Sequence, residues 1–202
     1  MSVFGVKAVA LNLLKDWREA QKESSTYKSV LNASIRHWSP PPSGWIIVNI
    51  DATIFSDRSC IGLGSVIRNN VGQFMRARCK EMDGLTAPRE AEALSLKEAL
   101  SWTKELGFRN CIFETDAKLL ADACKGAKGM SYFHTIVENC VEYCKYFDNV
   151  LVKYVSRSAN EVTHMLGRAA HSTSDVQEWV NSAPEFVHDA IVFYSIKVMQ
   201  VH

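Results

Sequence analysis

Two short apolar runs, each closing on an acid, constrain this chain more than any other feature. Trp45–Asp51 reads WIIVNID and Cys111–Asp116 reads CIFETD. Runs this short, rich in Ile, Val and Phe, form strands buried on both faces. A carboxylate at the end of such a strand is costly to hold unless it is exposed, paired or bound to a cation. A third acid has the same problem. Glu92 falls four residues before Leu96 and seven before Ala99, on the stripe that a helix opening at Pro88 would bury. The reading that joins these facts is that Asp51, Glu92 and Asp116 meet.

The rest of the chain arranges itself around those runs. Its 202 residues suffice for one well-cored domain with extensions. Residues 1–24 read as an amphipathic helix, with Val9, Leu13 and Trp17 on one stripe, and not as a signal peptide. Pro40, Pro41 and Pro42 followed by Ser43 and Gly44 can neither continue a helix nor pair centrally in a sheet. They set a boundary that makes 1–44 an N-terminal helix and Pro-rich linker, 45–172 the domain, and 173–202 a C-terminal extension. Within the domain, Ile61–Arg68 and Gln73–Lys80 read as strands joined by the turn at Asn69–Gly72. A helix runs from Pro88 to about Leu106 and stops before Gly107. Further helices are expected over 117–125, 131–147 and 160–170, with a last strand over 150–155. The order β-β-β-α-β-α-α-β-α predicts an α/β fold that starts as an antiparallel meander and continues with parallel crossovers.

Composition narrows the function classes without choosing one. A formal net charge of +1 does not announce a nucleic-acid binder, although a local patch would suffice. No apolar run approaches the roughly 18–20 residues of a membrane helix, so no membrane role is expected. The six cysteines contain no CxxC pair and lie in apolar periodic segments, as reduced thiols of an intracellular protein do; nuclear and cytoplasmic locations are not separated. In the third strand, Arg76, Arg78 and Lys80 alternate with Met75, Ala77 and Cys79. Those bases read either as protection of an exposed sheet edge or as a phosphate-contacting face.

Sites in open α/β sheets form at the carboxyl ends of strands. Adjacent parallel strands would bring Asp51 and Asp116 together, with Glu92 reaching in from the first helix. Three converging carboxylates repel, and a hard divalent cation relieves the repulsion. Each acid also has an ordinary role open to it. Asp116 could cap a helix, Asp51 could open a loop, and Glu92 could face a helix N-terminus.

Five ordered segments carry a resemblance: WIIVNIDAT, GLGSVIRNNVGQF, AEALSLKEAL with ELGF, FETDAKLLADA, and VKYVSRSANEVTHMLGRAA. From about 45 to 172 the chain resembles a ribonuclease H-like domain of the kind attached to plant retroelement reverse transcriptases. The resemblance implies a five-stranded mixed sheet of order 3-2-1-4-5 flanked by helices. It implies endonucleolytic cleavage of the RNA strand of an RNA–DNA hybrid with two Mg²⁺ or Mn²⁺ ions. Asp51, Glu92, Asp116 and His164 then fall at the catalytic, metal-binding positions. Thr53, Arg76, Arg78, Arg89 and Lys118 are the candidate contacts to the nucleic acid, and 1–44 or 173–202 the surfaces left for a protein partner.

The chain departs from the family pattern in three places. Ala52 follows the first Asp where Gly is frequent. Ala87, Pro88, Arg89 and Glu90 stand where Asn residues often read the hybrid. His164 stands where a fourth metal-binding Asp is usual; its imidazole can ligate a metal or orient water but adds no negative charge. A basic helix inserted after 125 is absent from the pattern, and Lys118, Lys125 and Lys128 are a modest substitute. Two functions therefore stand at this point: a metal-dependent ribonuclease H, and a nucleic-acid-binding or partner-binding module that keeps the fold with weak or no catalysis. A retroelement fragment without an independent role is a third.

Overall fold

The computed structural model describes residues 41–84, 86–126, 129–172 and 176–191. The expected N-terminal helix, most of the linker, Lys128 and the last apolar stretch of the chain lie outside these residues. The opening meander is β1 (Ile46–Phe55), β2 (Cys60–Asn69) and β3 (Phe74–Asp83), paired antiparallel. The turn between β2 and β3 forms because the Asn69 carboxamide oxygen accepts from the backbone N–H of Val71 and Gln73, while Gly72 supplies a φ of 82°.

Helix α1 (Pro88–Glu105) starts on proline, and the Glu90 carboxylate accepts from the Ala87 N–H at 3.0 Å and from Thr86 Oγ1 at 2.9 Å. Those donors hold the Glu90 carboxyl below its ordinary range. Then come β4 (Asn110–Thr115), α2 (Lys118–Ala123), α3 (Tyr132–Cys144), β5 (Asn149–Tyr154), α4 (Glu161–Ala169) and β6 (Gln177–Val180). β4 pairs parallel to β1, and β5 parallel to β4. The sheet order is β5-β4-β1-β2-β3-β6.

The five expected strands are in the expected order, but a sixth is added: β6 pairs antiparallel with β3 over Arg76–Cys79. Its sequence, QEWV, is too short and too polar to show a period. Tertiary packing makes it a strand. Trp179 meets Phe186 edge-on at 6.0 Å, and Val187 is fully buried beside Ala77, Cys79 and Leu166.

The sheet carries a core on each face. On one, Ile46, Val48 and Ile50 pack with Leu96 and Leu100 of α1, Phe113 of β4, and Phe133 and Ile136 of α3. On the other, Val66, Ala77 and Cys79 meet Leu166 and Ala170. There α4 lies backbone against backbone on β2. A Cβ placed on Gly64 would come 2.2 Å from the Thr163 carbonyl oxygen and 2.6 Å from the Gly167 nitrogen; one on Gly62 would come 2.1 Å from the Gly167 oxygen. No side chain fits between them, so these glycines set the height of α4 over the sheet.

Gly64→Ala should therefore lift α4 and destabilise the domain by about 1–3 kcal/mol, the usual range for overpacking. Urea denaturation of the variant against the parent checks this; an unchanged midpoint would show that α4 is not seated on β2.

Candidate active site

Asp51 does not end its strand. β1 continues to Phe55, because β2 keeps pairing with it through Cys60. What ends near Asp51 is the other neighbour. The parallel pairing with β4 covers only Ile46–Asn49, so β1 has a free edge from Ile50 onward. Asp51 is 5% exposed at that edge, and Asp116 follows the last residue of β4. The carboxyl-end geometry expected for both acids is thus supplied by β4 alone.

Alternation along β1 puts Asn49 and Asp51 on the face covered by α4, opposite to Val48 and Ile50. Glu92 comes from α1 on the other face and reaches the same free edge. Ser95, one turn after Glu92, fixes that approach: its hydroxyl donates to the Asp51 carbonyl at 2.9 Å and is fully buried. One oxygen from each of Asp51, Glu92 and Asp116 lies within 4.8 Å of the others.

The electrostatic result falls on Glu92. Burial first, and then the charges of Asp51 and Asp116, push its carboxyl up to about 9. Its Oε2 is buried with no hydrogen-bond partner. A protonated carboxyl crowded by two carboxylates, with one oxygen unsatisfied, is a donor set in want of a cation. All three donors are hard oxygens, as a divalent ion of the Mg²⁺ or Mn²⁺ kind requires.

His164 projects from α4 onto the same cluster, with Nδ1 2.8 Å from Asp51 Oδ2. A carboxylate partner favours a proton on Nδ1, and in the neutral form of the ring Nε2 then keeps its lone pair. The alternatives open to the acids are taken up elsewhere. The residue preceding α2 at its N-terminus is Ala117, and Asp116 instead accepts from Asn160 Nδ2 at 3.0 Å. The first turn of α1 is served by Glu90.

The structure brings few of the proposed nucleic-acid contacts to this cluster. Thr53 Oγ1 is buried without a partner and faces Gly167 under α4. Arg76 pairs with Glu178 of β6 at 2.7 Å, and Glu98 of α1 takes Lys80 at 3.0 Å and Arg78 at 3.6 Å. Because β6 covers β3 over Arg76–Cys79, Arg76 and Arg78 do not guard a free sheet edge, and each of the three bases already has an acid. Arg89, half exposed, lies over the Phe133 ring at 5.9 Å, and Lys118 is exposed two residues beyond Asp116. An open groove lined by Ile54, Ser56, Thr86, Pro88, Glu90 and Tyr132 runs past the start of α1.

Sequence reading misses a second polar layer. Asn49, Arg68, Glu114 and Asn160 are all buried. Arg68 Nη2 donates to Asn49 Oδ1 and lies 3.5 Å from Glu114 Oε2. Asn49 Nδ2 donates to Glu114 Oε2 at 3.0 Å and to Asn160 Oδ1 at 3.4 Å. The one hint in the sequence is Asn49 itself, an amide inside an otherwise apolar strand.

A model described as reverse transcriptase-like matches residues 49–170. No curated protein sequence matches. Among solved structures, RNase H1 from the halophilic archaeon Halobacterium salinarum superposes with a TM-score of 0.59 at 19% identity, covering 63% of this chain and 98% of that one. The N-terminal RNase H domain of a Mycobacterium tuberculosis protein gives 0.57 at 16% identity, covering 64% and 95%. LC11-RNase H1, isolated from compost by a metagenomic approach and solved with an RNA/DNA hybrid, gives 0.52 at 19% identity, covering 62% and 95%. At these identities the likeness is one of fold, and together with the matched segment it shows that the chain belongs to the reverse transcriptase-like family of ribonuclease H-like domains.

Proposed function

We propose that the domain is a divalent-metal-dependent endonuclease that cleaves the RNA strand of RNA–DNA hybrids, with Asp51, Glu92 and Asp116 as the metal-holding, catalytic carboxylates. The observation that carries this reading is the trio within 4.8 Å, in which Glu92 has a buried unpartnered oxygen. Two Mg²⁺ or Mn²⁺ ions held there would activate a water and stabilise the leaving oxygen of a phosphodiester. Asp51 is the central group, since it lies within 4.8 Å of both other acids and is also the one bonded to His164. His164 orients Asp51 through Nδ1 and offers Nε2 to a metal or a water. Binding rests on the A-like shape, phosphates and 2′-hydroxyls of the hybrid. The open groove, Arg89 and Lys118 are the surfaces that would meet it. The presence of an RNA/DNA hybrid on the LC11 relative supports this choice of substrate.

One observation favours a second reading, a nucleic-acid-binding module with weak catalysis. His164 gives Asp51 a partner of its own and supplies no negative charge, so a second ion is held less strongly than by four acids.

A labelled RNA–DNA hybrid separates the two. Asp51→Asn removes a proposed ligand, so its effect on cleavage should exceed the ~10–100-fold that loss of an outer partner costs. Hybrid bound but never cut by the parent protein, with either ion, would establish the module instead. Mn²⁺ should support faster cleavage than Mg²⁺, because it accepts a nitrogen ligand more readily. Equal or better rates in Mg²⁺ would count against His164 as a ligand.

Glu92 also sets a pH dependence. Its value in the folded, metal-free protein, about 9, lies above the ordinary 4.5, so the folded state holds a proton that the unfolded chain releases. The stabilisation from that proton is complete at pH values below the ordinary one and is lost as pH rises towards about 9. In chelator, the melting temperature should fall over this window, and Glu92→Gln should flatten the fall. Added Mg²⁺ should oppose it, because the ion takes the place of the proton.

A further inference from the structure

Asn160 stands at a junction that neither its position in the sequence nor its helix explains. It is the residue that opens α4, where an Asn side chain ordinarily accepts from the first-turn N–H groups. Here its side chain makes no such bond. It turns inward instead and is 2% exposed. Nδ2 donates to the Ile50 carbonyl at 2.7 Å and to Asp116 Oδ1 at 3.0 Å. Oδ1 accepts from Asn49 Nδ2 at 3.4 Å. Both N–H groups and the carbonyl oxygen are used, and the reverse placement of the amide would set its oxygen against a carboxylate and a carbonyl.

The three elements tied together carry three of the four cluster residues, all but Glu92 of α1. Ile50 precedes Asp51 on β1, Asp116 follows β4, and α4 bears His164. The backbone carbonyl of Asn160 accepts from Thr163 Oγ1 at 2.7 Å and from the His164 N–H at 3.2 Å, so the same residue anchors the helix turn that presents the imidazole. Behind it, Asn49 is held from the other side by Arg68 and Glu114. The amide that faces Asp116 is thereby locked in one orientation by a buried ion pair on β2 and β4.

We infer that Asn160 is a positioning residue for the metal centre: its carboxamide holds Asp116, β1 at Asp51 and the start of α4 in one register, and this sets the affinity of the site for a divalent ion. The inference rests on the metal-dependent reading above. Asn160 itself is not a ligand. Its contribution is to keep Asp116 from turning away from a neighbour that repels it.

Asn160→Ser distinguishes positioning from mere support of the fold. Serine suits a helix start as well as Asn does and can make the capping bond to α4 that Asn160 does not, but its hydroxyl is too short to reach Asp116 and Ile50 together. Mn²⁺ binding measured by calorimetry on the full chain should weaken by about tenfold or more in the Ser variant. Its melting temperature in chelator should fall, because buried hydrogen bonds are lost, but by less than in Asn160→Ala, which cannot cap α4 and should weaken Mn²⁺ binding to the same extent. The parent protein gives a second readout that needs no variant: the Asn160 side-chain amide resonances should be protected from exchange and should shift on Mg²⁺ addition.

Binding of Mn²⁺ by the Ser or Ala variant within twofold of the parent would overturn the inference, as would amide resonances that exchange freely or ignore Mg²⁺. A parent protein that binds no divalent ion at all would instead overturn the metal-dependent reading, and this inference with it. Mn²⁺ binding weakened alike in the Ser and Ala variants, although the two melt at different temperatures, would establish it.

Discussion

Three carboxylates held within 4.8 Å of one another repel, and every part of this domain near β1 bears on that repulsion. The cluster exists because β4 stops while β1 and β2 run on, which leaves a free strand edge reachable from both faces of the sheet. Asp51 comes from the α4 face, Glu92 from the α1 face, and Asp116 from the end of β4. A shorter β1, or a longer β4, would separate the three. Without a cation the strain is met by a proton on Glu92 and by the imidazole against Asp51.

Beneath the charges lies a polar layer with its own internal balance. Arg68 and Glu114 neutralise each other in the interior, and Asn49 and Asn160 use their amide groups in full. A buried pair of this kind is weak evidence for stability in general, since desolvation offsets most of the attraction. Its value here is geometric. It leaves the amides that support Asp116 only one orientation, and a site built from mutually repelling groups depends on such fixed supports more than on attraction among its members.

Much of the architecture was legible in the sequence because local periodicity and tertiary burial agree. Pro88, Gly107 and the Asn69–Gly72 turn punctuate the chain where they should, and two apolar runs followed by acids mark the strands that matter. Asp51, Glu92 and Asp116 could be singled out because a charge beside an apolar stripe needs a reason. The misses have a common physical cause. β6 has no period of its own and is a strand only because β3 and the segment 185–191 make it one. The overrun of β1 depends on its antiparallel partner. Asn160, Glu114 and Arg68 are ordinary polar residues whose partners lie far off in the chain. Asn49 and Asn160, for instance, are 111 positions apart. No window on a single sequence contains both ends of such a bond.

The glycine contact between α4 and β2 has a consequence for how this scaffold can diverge. Where a helix rests on side chains, replacing one residue changes the depth at which its neighbours sit. Here the resting surface is main chain on main chain, at Gly62, Gly64 and Gly167. Position 164 takes no part in it. The chemistry displayed on that turn can therefore be exchanged, an imidazole for a carboxylate, while the platform underneath stays in place. The platform and the chemistry displayed on it are separable in this domain because different atoms carry them.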